Sequence, residues 1–211
     1  MKGILSLLKM KTRSGKTGDD NTDSVLFSTA FAGQGVDDSM LVPWEARAVE
    51  VGAKRLPTSR GGKLLQGLWA KDKYMAHLDK DAVERMERFF EFAAIPSNRD
   101  VIRQDEYGNF MVVLLTGTIA VDRVQPWGEQ LRLAETRPGD ILGEMSLLDS
   151  GIRFSACTTL TDCEIAVLSA EAMDDMMSKD PQLAASLIAL LARKLSLRLR
   201  VVSARLSDNQ K

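Results

Sequence analysis

The sequence is poor in the residues that carry most enzyme chemistry. It has one histidine, His77, in 211 residues. A multi-histidine metal site is therefore excluded, and a hydrolytic triad is left only if His77 is its base. The two cysteines, Cys157 and Cys163, are too few for a disulfide framework or a four-cysteine zinc site. They suit a reducing cytoplasm. No apolar run approaches the ~18–20 residues of a membrane-spanning helix. Residues 1–16 lack a cleavage-site pattern and a long apolar core, which argues against a secretory signal. Gly15-Lys16-Thr17 resembles the end of a phosphate loop, but that motif needs a glycine where Met10 stands. Asp19-Asp20 and Asp174-Asp175 read as solvated charges rather than metal ligands. No enzyme, metal or cofactor is expected.

What is present is an ordinary apolar share, 45%, and a strong charge partition beneath a net charge of −1. Residues 1–80 carry 13 basic and 9 acidic side chains, residues 81–180 carry 9 and 19, and residues 181–211 carry 6 and 1. An acidic body thus has basic arms at both ends. Such a body repels nucleic-acid phosphates. An anion would have to be held locally, by a particular arginine or by exposed backbone donors.

Three parts follow along the chain. Residues 1–62 read as an N-terminal extension, partly disordered or docking, with Pro57–Lys63 as a linker. The leucines and lysines of residues 1–16 also suit peripheral contact with an anionic membrane. Residues 63–180 read as a body of short helices and strands. Asp79 caps a helix whose apolar face, Val83, Met86, Phe89 and Phe90, runs through Ala82 to Phe92 and stops at Pro96. Val101-Ile102, Met111–Leu115, Ile119–Val121, Leu131–Leu133, Cys157–Thr159 and Glu164–Leu168 read as short strands. Gly108, Gly117 and Gly139 between them are expected to supply positive φ in tight turns. Residues 181–211 form a long C-terminal helix, opened by Asp180 and Pro181. Its stripe, from Leu183 to Leu206, is longer than one face of this body needs, so part of it is expected to pair with a second copy.

The segment Gly139 to Ala156 carries the chemistry. Gly143 lets a backbone N–H approach a ligand, and the amides opening the next turn, at Met145 and Ser146, favour an anion. Glu144 can accept from hydroxyls, and Arg153 offers a fork matched to a phosphate. A carboxylate for a diol and a guanidinium for a phosphate together describe a sugar phosphate. The competing explanation of Arg153 is a structural salt bridge, for example with Glu144.

This segment resembles the phosphate-binding cassette of the cyclic nucleotide-binding domain of the catabolite-activator (Crp/Fnr-like) superfamily. The resemblance extends to Arg103–Asn109 and Leu115–Val121 upstream, and to Leu160–Cys163 and Ala192–Leu195 downstream. It implies a mainly β fold with flanking helices: an eight-stranded β-roll, jelly-roll-like, closed by the long last helix, often as a homodimer. It also implies that Glu144 holds a ribose hydroxyl and Arg153 a cyclic phosphate, that of cyclic AMP, cyclic GMP or a related nucleotide. Two departures matter. Phe154 and Ser155 follow Arg153 where the family places small residues, so Phe154 faces the phosphate side or the strand bulges. Arg198 and Leu199 stand where the family's activator uses Thr-Ser on the adenine. Arg198 could stack on a purine or hold a second phosphate, as in cyclic di-GMP, or face solvent. The family's transcription factors continue into a winged helix-turn-helix where this sequence ends, so the expected output is a protein partner rather than DNA. Beside this sensor stand two other readings: an interaction scaffold in which Phe154 fills the pocket, and a β-roll dimer with neither role.

Overall fold

Apolar runs of two to seven residues between turn residues favour strands, and here they are gathered by antiparallel pairing into two sheets. The computed structural model describes residues 26–75 and 78–208. The readings placed on residues 1–25, and on His77, lie outside these. In chain order come α1 (Phe27–Gly33), a 3-10 turn (Asp38–Met40), α2 (Trp44–Val51), β1 (Lys54–Arg55), α3 (Thr58–Trp69), α4 (Lys80–Glu87), β2 (Glu91–Ile95), β3 (Asp100–Ile102), β4 (Phe110–Thr116), β5 (Ile119–Val124), β6 (Gln130–Glu135), β7 (Ile141–Leu142), α5 (Glu144–Asp149), β8 (Ala156–Thr159), β9 (Cys163–Ser169), α6 (Ala170–Lys179) and α7 (Pro181–Asp208).

The sheets have the orders β1-β2-β9-β4-β7 and β3-β8-β5-β6. Among the described residues this makes nine strands, one more than the eight implied, because the two-residue β1 adds an edge to β2. Side chains alternate across β4, and the alternation builds two cores. Phe110, Val112 and Leu114 meet Val101, Ile119, Cys157, Ile165 and Val167 between the sheets. Met111, Val113 and Leu115 face the other way, into a layer with Leu65, Met86, Met173 and Leu187 of the helices. The molecule is therefore the expected β-roll with flanking helices.

Helix α7 is used unequally. Leu183, Leu187, Leu190 and Leu191 are buried against the body, while Leu197, Leu199, Val201, Val202 and Leu206 are exposed. At 28 residues it is roughly 42 Å long, and residues 196–207 are all exposed. Among the described residues no helix is long and apolar enough to cross a membrane, and no group of three or more His, Cys, Asp or Glu could hold a metal ion.

Three expectations are corrected. The helix read to Phe92 ends at Glu87, and Glu91–Ile95 pairs as β2 with β9, Ala93 opposite Ile165. Pro57–Lys63, read as a linker, opens α3 with Pro57 as its N-cap residue. Asp174, read as a solvated charge, is buried and accepts from the amides of Leu26, Phe27 and Ser28 at 2.8–2.9 Å.

The α3 glycines are there for space. A Cβ on Gly61 would overlap the Phe92 ring and lie 2.8 Å from its Cβ, whereas one on Gly62 meets the carboxylate end of Glu87. Gly61→Ala is expected to cost about 1–3 kcal/mol through overpacking. In Gly62→Ala, Glu87 swings aside, and helix propensity returns about 0.5–1 kcal/mol. Urea denaturation of the two variants checks the contrast; equal effects would refute the packing argument.

Candidate functional site

The chain leaves β7 at Leu142 and turns through Gly143, whose φ of +76° is left-handed. A Cβ there would lie 2.6 Å from Arg153 Nη1 and 2.8 Å from Ile102 Cδ1. Glycine is thus required twice, for the backbone and for the guanidinium that occupies the space. Gly108 serves the same guanidinium. Its φ is not positive, unlike those of Gly117 and Gly139, and a Cβ on it would lie 2.7 Å from Arg153 Nη2. Two of the three glycines fit the turn expectation. Gly108 instead makes room for an arginine.

Arg153 is 3% exposed, and two of its donors are taken by carbonyls. Nη1 donates to Gly143 O at 2.7 Å and Nη2 to Phe110 O at 2.6 Å. Its Cζ lies 4.7 Å from the centroid of the Phe110 ring. The backbone is pinned as well: Arg153 N–H donates to Glu106 O at 2.8 Å, and Asp105 N–H donates to Arg153 O at 2.9 Å. Among the described residues Arg153 makes no ion pair. Burial therefore pulls its pKa down to about 10. It remains a cation at neutral pH. Cys157 beside it is pushed up to about 12 by burial, so it is a neutral thiol there.

The salt bridge weighed for Arg153 is not formed. Glu144, 4% exposed, pairs instead with Arg198 of α7, whose Nη2 also donates to Ile141 O at 2.8 Å. Arg198 thus reaches the cassette rather than facing solvent alone. Gly143, Glu144, Arg153 and Arg198 are brought together, and Ser146 is buried next to them in α5. Met145 and Phe154 are exposed. The strand β8 begins only at Ala156, so Phe154 and Ser155 occupy a bend. The Phe154 ring lies 4.0 Å from the Arg123 guanidinium, and its carbonyl accepts from Arg123 Nη1. The chain thus bends at Phe154, whose side chain is not among those lining the cavity at Arg153.

One neighbour was not legible in the sequence. Arg47 of α2 is 1% exposed and pairs with Glu50 at 2.6 Å and with Glu106. Its Nε has no partner among the described residues. Trp44, on the same helix, packs edge-on against Phe110, with centroids 5.6 Å apart. A single arginine far from the cassette carries no pattern that could have singled it out. Between Arg47, Glu106, Gly108, Phe110 and Arg153 remains a cavity of about 10 Å3.

Comparison with known proteins bears on the fold. Residues 94–180 match the family model of the cyclic nucleotide-binding domain. The cyclic AMP receptor protein of Thermus thermophilus is 30% identical over 118 residues, 56% of this chain and 55% of its own length. The chain spans about half the length of the curated relatives it matches. Among solved structures, a cyclic nucleotide-binding domain from Methylobacillus flagellatus superposes with a TM-score of 0.67 at 22% identity, covering 72% of this chain and 86% of that one. The Thermus thermophilus catabolite activator protein superposes with a TM-score of 0.54 at 28% identity, covering 63% of each chain.

Proposed function

We propose that this chain, whose residues 94–180 match the model of the cyclic nucleotide-binding domain, is a Crp-like sensor of a cyclic nucleotide, cyclic AMP or a related one, and signals through α7 to a protein partner. One observation carries this reading. A guanidinium and a carboxylate, Arg153 and Glu144, are both buried beside Gly143, and among the described residues Arg153 has no carboxylate partner. Burying a cation without a counter-charge is costly. A ligand phosphate supplies that charge, and Glu144 accepts from the sugar hydroxyls. Gly143, Met145, Ser146 and Ser155 supply the rest of the cradle.

The output follows from Arg198. A ligand hydroxyl that takes the Glu144 carboxylate competes with Arg198, so occupancy biases the position of α7. The exposed apolar residues of the distal half, Leu199, Val202 and Leu206 among them, offer the surface that changes. This favours a homodimer seam or a protein partner there over DNA. The division into a sensor body that begins with α3, residues 181–211 as output helix and the residues before α3 as docking extension is part of the same proposal, as is a cytoplasmic setting; the boundary read between residues 62 and 63 falls inside α3.

A second reading, the ligand-free scaffold, is favoured by the small cavity at Arg153, since ligand pockets are usually ~300–1,000 Å3. Isothermal calorimetry of the full chain with cyclic AMP, cyclic GMP and cyclic di-GMP separates the two. The sensor reading expects at least one to bind with Kd below about 1 mM, roughly −4 kcal/mol. Binding by none would leave the scaffold.

A further inference from the structure

The segment from Leu41 to Val51 lies across the cavity that Arg153 lines. Glu50 pairs with Arg103, which also lines the cavity, and four further contacts attach the segment there. Leu41 bridges to Tyr107, and Val42 N–H donates to Tyr107 O at 2.9 Å. Trp44 rests on Phe110, and Arg47 pairs with Glu106. The last two contacts fall on the residues that hold Arg153. The Phe110 carbonyl accepts from its guanidinium, and the Glu106 carbonyl accepts from its backbone N–H. The α2 segment and Arg153 therefore share two supports.

We propose that α2 is a cap on the Arg153 site, that Arg47 on Glu106 is its latch, and that anion binding at Arg153 and release of the cap are linked. The closed state is the one in hand, with room for about one water molecule. An incoming phosphate has to draw Arg153 from the Phe110 and Gly143 carbonyls. That movement disturbs the surface on which Trp44 sits. Linkage is reciprocal, so loosening the cap raises apparent affinity by the factor that it raises the open population. Arg47 is a positioning residue in this scheme, acting through Glu106. The ligand's identity rests on the sensor reading; closure of the cavity does not.

The test has a ligand-free arm and a nucleotide arm, both on the full chain. In the first, phenylglyoxal modification of Arg153 is timed by mass spectrometry of its peptide, with circular dichroism confirming the fold. Arg47→Gln is expected to raise the rate about tenfold, and Arg47→Lys, which keeps a cation for Glu106, to restore most of the protection. Equal rates in wild type and Arg47→Gln would overturn the cap. Trp44→Ala provides a second opening should Arg47→Gln not fold. In the second arm, hydrogen exchange of residues 41–51 is followed with and without saturating cyclic AMP. Faster exchange with the nucleotide supports linkage, and unchanged exchange with nucleotide bound overturns it. If cyclic AMP binds Arg47→Gln but not wild type, the cap is what hides the site. If it binds neither, that arm counts against the cyclic AMP reading, while the modification rates still decide the cap.

Discussion

Arg153→Ala is expected to weaken binding of whichever nucleotide the wild type takes by about 100-fold or more, while moving the thermal midpoint by only a few degrees. The two effects have separate causes. Toward ligand, the substitution removes a forked pair of charge-assisted hydrogen bonds, each about 1.5–3 kcal/mol. Toward stability, the terms oppose one another. A base whose folded pKa lies below its unfolded value holds its proton less tightly when folded. It therefore lowers stability at every pH below about 10, and the penalty fades as pH rises from there toward the guanidinium's ordinary range. That depression corresponds to roughly 3 kcal/mol at neutral pH. Removing the guanidinium recovers it and forfeits the bonds to Gly143 O and Phe110 O, which are of similar size. A merely structural arginine would not separate the two readouts. Calorimetry beside a thermal melt checks this; retained affinity, or loss of the fold, would sink the assignment.

The same asymmetry explains what could be read from sequence. The meeting of Gly143 and Arg153 was legible because it is local: Gly143, Glu144 and Arg153 lie within one turn-helix-turn, and Arg153 Nη1 reaches back to Gly143 O. The strands from Val101 onward were legible for the same reason, as apolar runs between turn residues. β2 was not. Phe92-Ala93-Ala94-Ile95 has no strand alternation, alanine favours helices, and the segment continues the apolar face of α4. Only pairing with β9 makes it a strand, and that is tertiary information. Gly61 and Gly62 misled similarly. They read as a linker, yet Gly61 sits in a helix because Phe92 presses on it. Arg47 acts through a contact with a distant part of the chain, and one buried arginine looks like any surface arginine until the fold places it. Arg198 lay between, since its alignment offered the pocket but not its partner Glu144.

Asp174 is the clearest case of such a hidden role, and its loss is expected to release α1. The helix has no side-chain cap of its own, its preceding residue being Leu26. Asp174, reaching from α6, accepts from the amides of Leu26, Phe27 and Ser28 and from Ser28 Oγ, all at 2.8–2.9 Å. At 6% exposure water cannot easily replace it. Each charge-assisted bond is worth about 1.5–3 kcal/mol, but the sum cannot exceed the free energy of detaching α1. That limit is set by the burial of Phe27 and Phe31, about 1.5–3 kcal/mol each, offset by the entropy of freeing the chain. Asp174→Ala is therefore expected to lower protection of residues 27–36 against hydrogen exchange by about 100-fold, close to 3 kcal/mol, and the melting temperature by several degrees. Asp174→Asn, which keeps an acceptor but not the charge, should fall between. The ligand site should be spared. α1 touches α5, and beyond its C-terminus Gln34 Nε2 donates to Asp149 O at 2.7 Å, at the end of α5 away from Glu144, which is held from α7 by Arg198. Nucleotide affinity within about threefold of wild type, alongside the lost protection, is the expected pair of results; wild-type protection in Asp174→Ala would show that α1 is held by its apolar contacts alone.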